Sequence, residues 1–273
     1  MADNSTNAID KDTMPFVAPC RKLSPLAPFG WLKKGVADLG KAPQQGLTYG
    51  FFMALIMASV VWLAWARGSQ YIMLAMLGGF VFIAPLSCIG LYAISAQLER
   101  GQEPSMARSL RAAFKRHIGN ELIFAIALLV IFMVWSRAAL MITVFFPIGA
   151  EPDLESLLPF LTIGTIVGAF FAIVTFSASA FSLPMIMHRD VDSITAIVTS
   201  VNAVLRNKFA MLLWLALIMA GLLIGFLTAF VGLIVILPVI GFGAWHGYLE
   251  TIQADQFPRH AIGITATPRT EKT

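Results

Sequence analysis

Six long apolar runs constrain this chain more than any other feature of its sequence. A helix that crosses about 30 Å of hydrocarbon needs roughly 20 predominantly apolar residues. Six stretches meet that length, at about residues 46–66, 71–96, 122–146, 158–187, 209–228 and 230–248. The last two have almost no loop between them, so we expect a tight turn near Ala229. The alternative is five spans, with the final stretch re-entrant.

The composition agrees with helices that face lipid. Hydrophobic residues make up 58% of the 273-residue chain and charged residues only 12%, whereas a soluble domain has about 25% charged residues. So few charges could not cover a surface that faces water. The sequence therefore excludes a secreted disulfide scaffold, a free nucleic-acid binder and an ordinary cytosolic enzyme. The lipid bilayer is the one partner that the composition requires.

Lysine and arginine lie almost entirely on one side of the predicted membrane domain. Of the 19 basic residues, all but Arg67 and Arg137 lie before the first span or after the second, fourth or sixth. Because Lys and Arg concentrate in cytoplasmic loops, we expect both termini in the cytoplasm. The transmembrane domain then covers residues 24–250, between cytoplasmic tails at 1–23 and 251–273. We expect disorder before about Ser24 and after about Phe257.

A short amphipathic segment precedes each pair of spans. These segments are residues 31–41, 105–117 and 193–206. In the second, Met106, Leu110 and Phe114 recur every four residues among basic side chains, which is typical of a helix lying in the membrane interface. We therefore predict an all-α membrane protein with six transmembrane helices in three hairpins, each preceded by a cytoplasmic interfacial helix. An internal repeat explains this pattern; simple alternation of apolar and basic segments is the alternative.

Arg137 is the candidate functional residue with the strongest physical argument. It follows Trp135 and Ser136 within the third apolar run. A charge at the bilayer centre costs about 2.5–3.5 kcal/mol on insertion scales, and such residues usually face the bundle or a cavity. Either Arg137 lies inside the bundle, or the third span is shorter and the side chain reaches the outer interface.

Two short stretches at the cytoplasmic ends of spans hold the other candidates. They are His188, Arg189, Asp190 and Asp192 after the fourth span, and Trp245 and His246 in the sixth. Arg189 can extend to the interface, and Asp190 or Asp192 can cap the helix that follows. A site for an anionic lipid or substrate headgroup is the alternative there. Trp245 is typical of an anchor at headgroup level, and ligand binding by Trp245 and His246 is the alternative.

The sequence carries no recognisable catalytic or metal-binding motif. It contains no HExxH, no GxSxG, no phosphate-binding glycine loop and no CxxC. A haem-copper centre needs several converging imidazoles, and only His188 and His246 of the four histidines lie at membrane ends. We therefore expect no catalytic residue, no metal and no cofactor. A single haem held by these two histidines is the alternative.

Three stretches resemble a family of bacterial integral membrane proteins of unknown function, often labelled cytochrome c oxidase subunits. They run from Trp31 to Gly50, from Pro85 to Pro104 and from Ser182 to His246. Related sequences often have a histidine where this chain has Gly243, so one possible metal or haem ligand is missing here. The resemblance implies a bacterial inner-membrane protein without assigned chemistry.

The function that this resemblance implies is non-catalytic. We expect an accessory or assembly factor near respiratory complexes of the cytochrome c oxidase type, with respiratory-complex subunits as partners. The alternative is a channel or carrier for a small solute or lipid, which would use the bundle interior and Arg137.

Overall fold

The computed structural model describes residues 15–66, 85–107, 109, 118–146 and 154–258. This part of the chain is helical and forms no strand. Its helices are α1 (Ala27–Lys41), α2 (Pro43–Ala66), α3 (Ile89–Glu99), α4 (Ile118–Phe145), α5 (Leu154–Ser179), α6 (Ser182–His188), α7 (Ser193–Arg206), α8 (Lys208–Leu227) and α9 (Leu233–Thr251).

Five segments in the described residues are long and apolar enough to cross a membrane. They are Pro43–Leu63, Gly119–Phe145, Leu157–His188, Lys208–Leu227 and Leu233–Thr251. Most of the predicted second span, 71–96, lies outside the described residues, and only its last part is seen, in α3. The described residues therefore contain five candidate transmembrane helices, and the arrangement of six spans as three hairpins stays a prediction.

The turn expected near Ala229 joins α8 to α9. Ala229 and Phe230 have φ values of 49° and 70°, and the Thr228 side chain closes the turn by accepting a hydrogen bond from Gly232 N at 2.9 Å. Left-handed backbone is costly for residues other than glycine. The short connection between α8 and α9 requires this left-handed backbone at Ala229 and Phe230.

Helix α1 packs along α9 so closely that their backbones touch. A Cβ atom on Gly35 would press against the Val239 carbonyl oxygen and lie 3.0 Å from Gly243 N. A Cβ on Gly243 would lie 3.1 Å from the Trp214 ring. This approach buries Trp31 completely between the two helices and their neighbours.

The largest buried side chains gather at one end of the helices, which we call the polar end. It contains α1, α3, α6, α7 and the adjoining ends of α4, α8 and α9. Trp31, Phe181, Trp214, Trp245 and Tyr248 are each at most 1% exposed there. Away from this end, large apolar side chains of the spans are exposed, as expected for helices with lipid as solvent.

The predicted fourth span is broken between α5 and α6. Pro184 removes a backbone donor and its ring crowds the carbonyl four residues earlier, which ends the regular helix. Ser200 of α7 bridges the break, since its Oγ accepts from Phe181 N at 3.1 Å and donates to Ser177 O at 2.8 Å. The regular helix of this span is therefore interrupted at a point that another helix stabilises.

The expectation of a disordered N-terminal tail through residue 23 is wrong for residues 15–23. Ala18 and Cys20 are buried. The segment lies between α7 and the end of α9: Ala18 N donates to Thr199 Oγ1 at 3.1 Å, and Arg21 N donates to Thr251 O at 2.8 Å. The stretch packs because its apolar residues find a groove between two helices that are distant in sequence.

The C-terminal tail is likewise ordered in its first part. Phe257 is buried, Gln253 N donates to Pro19 O at 2.9 Å, and the Pro258 carbonyl oxygen accepts from Asp190 N at 2.9 Å. Residues 251–258 thus pack against the N-terminal segment and the loop between α6 and α7. The remaining tail residues, 1–14 and 259–273, lie outside the described part of the chain.

Two of the three predicted interfacial segments form helices, and each ends one residue before a span. Helix α1 ends at Lys41 and α2 begins at Pro43, while α7 ends at Arg206 and α8 begins at Lys208. Both pack against other helices and bury one face. The middle segment, 105–117, lies mostly outside the described residues. The interfacial position of these helices and the internal repeat stay predictions.

Candidate functional site

His246 belongs to a buried polar group that joins three helices. Its Nε2 lies 2.8 Å from Oδ2 of Asp38 on α1, and Ser95 of α3 donates to the same oxygen at 2.5 Å. Asp38 is only 5% exposed. A buried carboxylate is stable only when it is paired and hydrogen-bonded, and here both conditions are met by side chains from two other helices.

The electrostatic balance at Asp38 favours the ionised form. Burial raises the pKa of Asp38, but the hydrogen bonds from His246 and Ser95 and the positive charge of Lys41 outweigh it. The net result is a pKa below the usual value of 3.8. Asp38 is therefore an anion at neutral pH.

His188 lies in a second polar group on the adjoining face of α9. Its Nδ1 lies 3.0 Å from the Tyr248 hydroxyl, and its ring centroid is 5.5 Å from that of Trp245. Trp245 donates from Nε1 to Glu99 Oε2 at 3.2 Å and is 1% exposed. Trp245 therefore packs in the protein interior, and this contradicts its prediction as an anchor facing the headgroups.

Arg189 is buried and fixes the C-terminal segment. Its Nη1 donates to Phe257 O at 2.9 Å and its Nη2 to Asp255 Oδ1 at 3.1 Å, while Nε has no hydrogen-bond partner within the described residues. Arg189 as a whole is 6% exposed. Since two internal acceptors hold it, the geometry favours a structural role over binding of an external anion.

Asp190 and Asp192 are exposed and line a shallow cavity of about 430 Å³ beside Phe16 and Phe257. Asp192 accepts from Thr195 N at 2.9 Å and so caps α7, as the sequence predicted. The exposed side chains contributed by this loop are thus acidic. An acidic cavity repels the anionic headgroup that was the alternative interpretation for this stretch.

Arg137 lies far from these groups, on the exposed surface of α4. Met133 and Met141, one helical turn before and after it, are 59% and 57% exposed. The side chain is therefore not enclosed between the described helices. It lies on an apolar helix face that the described helices leave uncovered.

The polar end binds its own helices together. Ser95 donates to Asp38, so its hydroxyl is not aimed at an imidazole as a serine nucleophile would be. The described residues contain no group of three or more His, Cys, Asp or Glu side chains placed to hold a metal ion. His188 and His246 bind different partners, Tyr248 and Asp38, and do not share a ligand position.

Four polar partners at this end were not among the candidate functional residues predicted from the sequence. They are Asp38, Ser95, Glu99 and Asp255. The sequence did carry a signal for Asp38. One face of α1 and its C-cap is buried, and its residues recur at spacings of four, three and four: Trp31, Gly35, Asp38 and Ala42. The other three lie in segments whose local pattern does not distinguish them from solvent-facing residues.

Comparison with known proteins agrees with the membrane assignment. Residues 72–188, less than half of the chain, match a family described as "Predicted integral membrane protein (DUF2189)". No curated protein and no solved structure gave a significant match. The apolar helices and this similarity define an integral membrane protein of unknown function. The matched description says nothing of cytochrome c oxidase, so that association stays a prediction.

Proposed function

We propose that this chain is a non-catalytic accessory or assembly factor of the bacterial inner membrane. It binds another membrane protein through the face of α4 that carries Arg137. Both termini lie in the cytoplasm in this proposal. The observation that carries it is an exposed cation on an apolar transmembrane helix.

The exposure of the α4–α5 pair supports a binding role. Within an apolar stretch of 18 residues, 11% of the α4 span and 0% of the span that contains α5 are buried inside the chain. By contrast, 50% of the α9 window is buried. The α4–α5 pair therefore presents more outward surface than the spans that form the body of the protein.

Arg137 gives this surface a charge that lipid tails cannot satisfy. It lies eight residues before the end of α4 at Phe145, which corresponds to about 12 Å along the helix axis. An arginine at such a depth is usually paired, or lines an aqueous cavity. A partner span with a carboxylate facing Arg137 would satisfy it, because an Arg–carboxylate pair forms strong, directional hydrogen bonds.

The association with respiratory complexes rests on the family resemblance of Trp31–Gly50, Pro85–Pro104 and Ser182–His246. It narrows the partner class to subunits or assembly intermediates of an oxidase-type complex. The rival function, a channel or carrier that uses Arg137, requires this side chain to face a path through the bundle. Its exposure on α4 favours the binding role.

Affinity purification from native membranes in a mild detergent tests the proposal. Wild-type protein is expected to recover another membrane protein in fixed proportion, and Arg137→Leu is expected to lose at least about nine-tenths of it. Arg137→Lys keeps the charge and should retain part. Lys33→Leu, which removes an exposed cation at the polar end, should change nothing.

Three results would contradict the proposal. Recovery of the wild-type chain alone would remove the evidence for a partner. Equal recovery of a partner by wild type and Arg137→Leu would place the interface elsewhere. Solute flux that is present in wild type and lost in Arg137→Leu would support the carrier instead.

A further inference from the structure

We propose that four basic residues at the polar end form a binding site for the headgroup of an anionic phospholipid. They are Arg21, Lys22, Arg206 and Lys208, which we call the basic cluster. The inference is independent of the interface proposed around Arg137.

Hydrogen bonds from Asn207 bring the two halves of the basic cluster together. Asn207 donates from Nδ2 to Arg21 O at 3.0 Å, and its Oδ1 accepts from Leu23 N at 2.8 Å. Asn207 is buried and lies between Arg206 and Lys208. Two dibasic stretches about 185 positions apart in sequence are thereby fixed side by side.

A neighbouring side chain gives independent support for this placement. Asn202, one turn before Arg206 in α7, donates to Cys20 Sγ at 3.7 Å. Burial raises the pKa of Cys20, and the charge of Arg206 partly opposes that effect. Arg206 therefore lies within electrostatic range of the residue that precedes Arg21.

The charges of the basic cluster are not neutralised by the described residues. All four side chains are exposed, and none takes part in the ion pairs of the described chain, which are Lys34–Glu250, Arg189–Asp255 and His246–Asp38. Arg21 N donates to Thr251 O, and Glu250, which precedes Thr251, is paired with Lys34 at 3.5 Å. Four adjacent cations without an acid attract an anion strongly.

The position of the basic cluster selects a lipid as the source of that anion. Lys208 is the first residue of the span α8, so the cluster lies where the chain enters the membrane. The apolar side chains beside it, Leu205 and Phe209, are 59% and 79% exposed. A phosphate at headgroup depth with acyl chains below it matches both the cations and the apolar flank.

Lipid binding to the purified, full-length protein tests the inference. Native mass spectrometry would measure the affinity for phosphatidylglycerol, with phosphatidylcholine as the uncharged comparison. Each Lys or Arg near an anionic surface strengthens binding roughly fivefold. Arg206→Gln/Lys208→Gln and Arg21→Gln/Lys22→Gln are each expected to weaken phosphatidylglycerol binding at least about tenfold, with little effect on phosphatidylcholine.

The matched control removes two exposed cations from α1. Lys33→Gln/Lys41→Gln changes the net charge by the same amount and is expected to alter phosphatidylglycerol binding less than about twofold. Asn207→Ala leaves every charge in place but separates the two halves, and should weaken binding as much as either pair. Thermal unfolding in phosphatidylcholine would check that the Asn207→Ala protein is folded.

Three results would overturn the inference. Equal weakening by all three double variants would mean that only net charge matters. Weaker phosphatidylglycerol binding in only one of the two double variants of the basic cluster would show that its two halves do not act together. If millimolar inorganic phosphate competed for the site as effectively as phosphatidylglycerol does, the basic cluster would be a site for a free anion.

Discussion

The Asp38 carboxylate lies 2.8 Å from Nε2 of His246, although the two residues are separated by 208 positions in the chain. The contact joins α1, which precedes the first span, to α9, which is the last. With Ser95 donating to the same oxygen, one buried carboxylate holds three helices together. The polar end is therefore stabilised by a charged group as well as by aromatic packing.

Replacing Asp38 by Asn is expected to destabilise the protein at neutral pH by about 1–3 kcal/mol, the usual cost of breaking hydrogen bonds to a buried charged group. Thermal unfolding in a mild detergent would measure it. Asp190→Asn removes an exposed carboxylate of the same size and is the control, for which we expect little change.

The stabilisation by Asp38 should also depend on pH. Because its pKa in the folded protein is below the usual 3.8, its contribution is fully present above that value. It is lost as the pH falls through the lower, folded-state pKa. The difference in unfolding temperature between wild type and Asp38→Asn should thus shrink as the pH falls below about 4. A difference that stays unchanged between pH 5 and pH 2 would contradict this assignment.

Gly35→Ala is expected to destabilise the contact between α1 and α9, because the new Cβ would press against the Val239 carbonyl oxygen. Overpacking of this kind costs about 1–3 kcal/mol. Gly40→Ala in the same helix is the matched control, since nothing lies within 4 Å of its Cβ position. Alanine there should be neutral or stabilise by up to about 1 kcal/mol. Equal unfolding temperatures for the two variants would refute the close packing.

Ser200→Ala should destabilise the junction between α5 and α6. It removes the acceptor for Phe181 N and the donor to Ser177 O, leaving buried backbone groups unpaired at a cost of about 1–3 kcal/mol. Ser136→Ala is the control, because the Ser136 hydroxyl donates to Met133 O of its own helix on an exposed face. Hydrogen exchange at Phe181 would localise the effect, and unchanged protection there would speak against the bridge.

Cys20 should react slowly with a maleimide in the folded protein. Its side chain is 6% exposed, and burial, the larger effect, raises its pKa and so lowers the thiolate fraction. Both proteins compared carry Cys88→Ser. The comparison protein also carries Cys20→Ser and Ala37→Cys, so that its thiol lies on the exposed face of α1. Labelling of Cys20 is expected to be at least about a hundredfold slower than labelling of the thiol at position 37. Comparable rates would mean that residues 15–23 do not pack against α7.

The sequence predicted the helical membrane class, the turn near Ala229 and a cap by Asp190 or Asp192, of which the structure shows Asp192. These features depend on local physics: the length of apolar runs, the room in a loop and the side chain that precedes a helix. Pro184 also carried a local signal for the break after α5, because a proline cannot continue a regular helix.

The tertiary pairings could not be read in the same way. Nothing near Asp38 indicates His246 as its partner, and nothing near Ala18 indicates a groove beside Thr199. The polar composition of the N-terminal stretch suggested disorder because a single sequence does not show which distant backbone groups are available for hydrogen bonding. Arg137 was recognised from its apolar surroundings, but its exposed position on α4 required the fold.

Site-specific photocross-linking in native membranes tests the proposed interface most directly. A photoreactive residue at Met141, one turn beyond Arg137 on the exposed face of α4, is expected to give a discrete adduct with another membrane protein. The same residue at Leu223 of α8, which is 60% exposed, should give lipid adducts. Lipid adducts alone at both positions would contradict the account, because the face around Arg137 would then be in contact only with the bilayer.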